Sequence, residues 1–126
     1  MPDAAEDAQD NGLILRRGVD DRAVVIHAVG EVDHVTASRL FDELAKAGQV
    51  APERPIVIDM TGISFMASSG LTVLVEHHQR GQRAGRDLRI VVGDSVVGRT
   101  LRRTGLFEFL SVYAVLADAL PDKPSP

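Results

Sequence analysis

Short β-branched runs alternate along this chain with stretches in which apolar residues recur every three or four positions. Leu13-Ile14-Leu15, followed by Arg16-Arg17-Gly18 and Asp20-Asp21, predicts a short strand and a turn. Ala23 to Val29 is strand-length, rich in valine and isoleucine, and stops at Gly30. From Thr36 the period changes. Ala37, Leu40, Phe41, Leu44 and Ala45 fall on one side of a helix that ends near Gly48, with Ser38, Arg39, Asp42, Glu43 and Lys46 between them. After a loop holding Pro52 and Pro55, Ile56 to Met60 predicts a short central strand, and Thr61-Gly62 opens a loop. Leu71, Leu74, Val75 and His78 mark a second helix from Ser69, weakened by Gly81 and ended by Gly85. Leu88 to Val92 is the next strand, closed by Gly93-Asp94-Ser95, which is expected to cap a helix from Val96 to about Thr104, stopped by Gly105. Leu106 to Tyr113 predicts a hydrophobic turn with a short edge strand, and a last helix runs from Val115 to Leu120.

Strands that alternate with helices build a mostly parallel sheet covered by those helices, and the first two strands can pair as an antiparallel hairpin. The expected fold is α/β: one domain over residues 13–120, a mixed, mostly parallel sheet of about five strands with about four helices packed on it. In such sheets the working loops lie beyond the carboxyl ends of the strands. Gly30 to Val35 and Thr61 to Ser69 are two such loops. If the strands before them are neighbours, the loops sit side by side.

Composition narrows the function classes. The 126 residues suffice for one core, and 44% hydrophobic with 25% charged residues is the usage of a globular protein. No apolar run approaches the roughly 20 residues of a membrane helix. Residues 1–12 carry Asp3, Glu6, Asp7 and Asp10 with no basic residue, and with the proline-bearing residues 121–126 they are expected as disordered tails around a cytoplasmic domain. Those four acids account for the whole net charge of −4, so the body lacks the basic footprint of a nucleic-acid binder. Cysteine is absent, which excludes disulfides and thiolate chemistry.

Two segments hold candidate chemistry. In Gly62-Ile63-Ser64-Phe65-Met66-Ala67-Ser68-Ser69-Gly70-Leu71, Ile63 and Phe65 can tie the loop to the core, and Ser68 or Ser69 falls at the helix N-cap. One reading is structural, a serine accepting a hydrogen bond from a first-turn amide. The other is a phosphate acceptor, because free amides and the helix dipole favour an anion at that end. In Gly30 to Ala37, Asp33 or Thr36 can cap the helix that follows.

Taken together these segments resemble the STAS family and, within it, the bacterial anti-sigma-factor antagonists. Gly30-Glu31-Val32-Asp33-His34-Val35-Thr36-Ala37 is similar to that group's loop after the second strand. Ile58 to Leu71 is similar to its strand, loop and phosphorylatable serine, and Arg99 to Leu106 to its late helix ending in Thr-Gly-Leu. The resemblance implies a protein that binds an anti-sigma factor with serine kinase activity and thereby frees a sigma factor. It implies phosphorylation by ATP at Ser68, which ends that binding. It further implies partner contacts from Asp33, His34, Thr36, Met66, Ser69 and Gly70, with no cofactor and no contact with nucleic acid or membrane. One position departs from the pattern. The family usually carries Asp directly before the serine, and this chain has Ala67, which leaves open a STAS module that has lost the phosphoswitch and serves as a scaffold or a ligand- or lipid-transport component.

The remaining candidates read as structural. His34, His77 and His78 have no completing ligand set for a metal. His27, within a strand, is expected as a core or edge histidine with a satisfied ring nitrogen. Arg99, Arg102 and Arg103 form a basic stripe, expected as a solvated helix face. Met66 to Gly70 lacks the G-x-S-x-G elbow of a hydrolase, and the chain lacks a P-loop, so no catalytic residue is assigned.

Overall fold

The first two apolar runs form a hairpin, β1 (Leu13–Val19) against β2 (Val24–Val32). Asp20 shapes the turn between them: its Oδ1 accepts hydrogen bonds from the backbone N–H groups of Arg22 at 2.8 Å and Ala23 at 3.0 Å. This computed structural model describes residues 12–122. The tails expected at 1–12 and 121–126 lie outside the described residues, apart from Gly12, Pro121 and Asp122. Beyond the hairpin follow α1 (Ala37–Val50), β3 (Ile56–Met66), α2 (Ser68–Ala84), β4 (Leu88–Val91), α3 (Val96–Thr104), β5 (Ser111–Tyr113) and α4 (Leu116–Ala119).

The five strands make one sheet in the order β1-β2-β3-β4-β5, antiparallel between β1 and β2 and parallel elsewhere. The expected mixed sheet with four helices is therefore what forms. Alternate strand residues point to opposite faces. Val24, Ile26, Ile56, Ile58, Met60 and Ile90 join Leu40 and Leu44 of α1, Leu74 of α2 and Leu101 of α3 in the main core. On the opposite face Ala23, Val57 and Val91 pack with Ala119 of α4 in a smaller cluster. Arg89 holds α4 there, its Nη1 donating to the Ala119 carbonyl at 2.8 Å.

Helix stops follow the glycines. Gly85 and Gly105 take left-handed φ angles of 72° and 80° directly after α2 and α3. α1 runs on to Val50, past Gly48.

The largest difference from expectation is in β3, which continues to Met66 where a loop from Thr61 was expected. Its second half pairs with the end of β2, Val29 opposite Gly62, Gly30 opposite Ile63, Glu31 opposite Phe65 and Val32 opposite Met66, with register shifts between His27 and Val29 and between Gly30 and Glu31. At each shift β3 carries one residue more than β2. The irregularity breaks the two-residue alternation from which a strand is read. β2 likewise runs to Val32 instead of stopping at Gly30. Gly30 has φ 116°, and a Cβ there would stand 1.9 Å from the Gly12 carbonyl oxygen, so the chain entering β1 requires glycine at this point.

His27 is neither core nor edge. It projects from a central strand to solvent, with its Nδ1 3.1 Å from Asp59 Oδ2 on the paired strand.

Candidate functional site

The ends of β2 and β3 are neighbours, so the two turns that follow them are joined at one end of the sheet. The Ala67 N–H donates to the Val32 carbonyl at 2.8 Å, extending the pairing to the residue before α2. Beneath this junction Val32, Met66 and Gly70 meet. A Cβ on Gly70 would lie 2.7 Å from Val32 Cγ1 and 2.8 Å from Met66 Sδ, so the helix start fits only because residue 70 has no side chain.

The start of α2 corrects an expectation. Its N-cap is Ala67, extended at φ −84° and ψ 165°, and neither Ser68 nor Ser69 occupies that position. No side chain caps this helix. The Ala67 carbonyl accepts from the N–H groups of Gly70 at 3.0 Å and Leu71 at 3.3 Å, in the ordinary manner of a first turn. A helix start without a side-chain cap keeps its leading amides available to an external acceptor.

The two serines differ. Ser68, the first helical residue, is exposed, whereas the Ser69 Oγ is enclosed and has no hydrogen-bond partner. Only Ser68 offers its hydroxyl to another molecule.

The second turn is held by its own side chains. Asp33 Oδ1 accepts from the N–H groups of Val35 at 2.9 Å and Thr36 at 2.8 Å, while the Asp33 N–H donates to Thr36 Oγ1 at 2.9 Å. This reciprocal arrangement has the form of a capping box placed one turn ahead of α1, whose own N-cap, Thr36, makes no side-chain cap bond to the helix. The Asp33 carbonyl then accepts the first helical bond, from Ala37 N–H at 2.9 Å. The Thr36 N–H, opposed by partial burial and helped by the Thr36 hydroxyl and the Val35 N–H, holds the Asp33 carboxyl below its ordinary range.

The residues expected to form the site are thus together, but in two layers. Ser68 and His34 are exposed, Asp33 and Ser69 half-buried. Thr36 is fully buried, Met66 8% exposed and Gly70 buried, which suits them to support the surface from below and not to touch a partner. Phe65, expected to tie the segment to the core, is 49% exposed, while Ile63 does pack inside at 3%. Val35 is 53% exposed. Both are exposed apolar residues close in sequence to Ser68 or Asp33 that were not expected at the surface; a valine among the polar residues of a turn was the available signal.

The other candidates lie outside this site. His77 and His78 are packing residues: His77 lies against Phe41, with ring centroids 4.4 Å apart, and His78 against Phe109 at 5.1 Å. Burial pushes the His77 imidazole below its ordinary value, and its Nε2 is enclosed without a partner. Arg99, Arg102 and Arg103 are exposed on α3. Arg102 stacks over Phe107 at 4.4 Å, and Arg99 donates to the Asp94 carbonyl at 2.9 Å. Among the described residues no helix is long and apolar enough to cross a membrane.

The described residues thus form a single α/β domain with an exposed Ser68 hydroxyl at the start of α2, next to a turn held by its own side chains. The chain belongs to the STAS domain family, whose profile matches residues 16–119. It is 35% identical over 102 residues to the anti-sigma-F factor antagonist RsfA of Mycobacterium tuberculosis, covering 79% of each chain. It is 26% identical over 99 residues to the anti-sigma F factor antagonist of Paenibacillus polymyxa, covering 79% of this chain and 85% of that one. The crystal structure of an anti-sigma factor antagonist from Mycobacterium paratuberculosis superposes with a TM-score of 0.75 at 27% identity, over 90% of this chain and 94% of the other.

Proposed function

We propose that this chain is an anti-sigma factor antagonist that binds an anti-sigma factor with serine kinase activity, frees the sigma factor, and is released when Ser68 is phosphorylated. The observation that carries this reading is the exposed Ser68 at the head of α2, tied through the Ala67–Val32 bond to the Asp33 turn. The names of the relatives support the antagonist role. In the transfer, Ser68 Oγ gives its proton to a base of the kinase and forms a bond to the γ-phosphorus of ATP as the bond from that phosphorus to the β–γ bridging oxygen breaks and ADP departs with that oxygen.

Phosphorylation adds about −1.5 to −2 charges. The uncapped first turn of α2 can accommodate that charge, so the domain keeps its shape and the effect falls on the docked partner. Asp33, His34 and the rim of Ser69 are the proposed contacts, with Thr36, Met66 and Gly70 shaping the surface beneath them. The protein performs no catalytic step of its own in this scheme and acts in the cytoplasm.

The test is incubation with purified anti-sigma factors and ATP, followed by mass mapping and binding measurements. Phosphate on Ser68, with binding to one anti-sigma factor, is expected. Binding without phosphate on Ser68 removes the switch, and absence of binding removes the function.

Ala67 favours a second reading, a STAS module without a phosphoswitch that serves as a scaffold or as a ligand- or lipid-transport component. Ser68→Asp separates the two. The switch predicts a loss of partner affinity of roughly tenfold or more, about 1.4 kcal/mol, and the second reading predicts no change.

A further inference from the structure

A residue can govern docking without reaching the partner. The Thr36 side chain has no exposed surface, yet its hydroxyl stands at the centre of the turn that carries His34 and Val35. It accepts from Asp33 N–H at 2.9 Å and donates to the Glu31 carbonyl at 3.0 Å, with Asp33 Oδ1 at 3.1 Å as an alternative acceptor. Glu31 is fixed from its other side as well, because its N–H donates to the Gly12 carbonyl at 2.8 Å. One hydroxyl therefore connects the β1–β2 hairpin, the Asp33 carboxylate and the first turn of α1. Residues 34 and 35, both exposed, are suspended between these fixed points.

We infer that Thr36 is a positioning residue, which holds the His34–Val35 loop in its docking shape before the partner arrives. The inference rests on the proposed antagonist function and assigns Thr36 a role that contact cannot explain. Without the hydroxyl, Asp33 N–H and the Glu31 carbonyl lose their shared partner, and the loop samples other conformations that binding must then reverse. Valine matches threonine in shape and lacks the hydroxyl. Serine keeps the hydroxyl and loses only a methyl group.

The experiment measures affinity for the anti-sigma factor that the unmodified wild-type chain binds, at a temperature well below each variant's Tm, together with amide hydrogen exchange at Val35 and Thr36. Thr36→Val is expected to weaken binding at least fivefold and to speed exchange at both amides. Thr36→Ser is expected to bind within twofold of wild type. Should Thr36→Val not fold, Thr36→Ala removes the same hydroxyl without adding bulk or altering a proposed contact, and the same loss of affinity and faster exchange are expected. Wild-type affinity in the variant that lacks the turn's hydrogen bonds, despite faster exchange, overturns the inference. Equal losses in Thr36→Ser and Thr36→Val overturn it too, since they assign the effect to packing. Failure of the wild-type chain to bind any anti-sigma factor contradicts the proposed function itself and is established first.

Discussion

The two turns at the working end are built on opposite plans, although each joins a strand to the helix that follows it and the strands are neighbours. The turn before α1 satisfies its amides internally: Asp33 and Thr36 exchange hydrogen bonds, and the buried Thr36 hydroxyl adds a link to Glu31. The turn before α2 has alanine at the N-cap and no side-chain cap. One is tied together by its own side-chain hydrogen bonds. The other leaves the positive end of a helix open beside an exposed hydroxyl, where an added anion has amides to meet it. Under the proposed function, the bonded turn is the fixed part of the interface and the start of α2 is the part that phosphorylation would charge.

The largest expected effects come from disturbing what lies under the two turns. Thr36→Val leaves two part-buried backbone groups without their partner and should destabilise the fold by about 1–2 kcal/mol, read as a lower urea midpoint with an unchanged slope. Gly70→Ala should cost about 1–3 kcal/mol by overpacking against Val32 and Met66, and a variant melting with the wild type would contradict the packing described for α2.

Smaller and opposite in sign is Ala67→Asp. Supplying the absent cap should stabilise the unphosphorylated chain by about 1 kcal/mol, and a thermal melt showing no gain would mean that the first turn is already satisfied. The smallest effect is on pH dependence. Burial lowers the folded-state pKa of His77 from its ordinary value of 6.5. Between that depressed value and 6.5 the unfolded chain binds a proton that the folded chain does not, so stability falls as pH drops through this window and is level above it. His77→Leu should flatten the urea midpoint between pH 7.5 and 5.5; an unchanged slope would assign the loss to another group.

Most of this architecture was legible in the sequence, because helix periodicity and stop signals are local. Leu40 and Leu44 announce α1, and Gly85 and Gly105 end α2 and α3 by a conformation that glycine adopts without strain. The extent of β3 was not legible. Its extra residues against β2 place Ile63 and Met66 inward and Ser64 and Phe65 outward, a pattern set by the register of a strand distant in sequence. The same limit applied to the site. The family resemblance brought Ser68 and the Asp33 turn to attention, but whether Ser68 or Ser69 faces solvent depends on how α2 leaves β3. That orientation is set where Gly70 packs on Val32 and Met66. Thr36 was expected as a contact because it lies in the segment that carries the resemblance, and the Glu31 carbonyl that draws its hydroxyl inward lies five residues away.

In the proposed function, charge placed on Ser68 acts on the docked partner and not on the fold. Calorimetric titration of one anti-sigma factor with the chain before and after stoichiometric phosphorylation at Ser68, with Tm recorded for both forms, tests it most directly. Affinity at least tenfold weaker after phosphorylation, with Tm unchanged or higher, is expected. Equal affinity of the two forms, or a loss accompanied by a collapse in Tm, would contradict it.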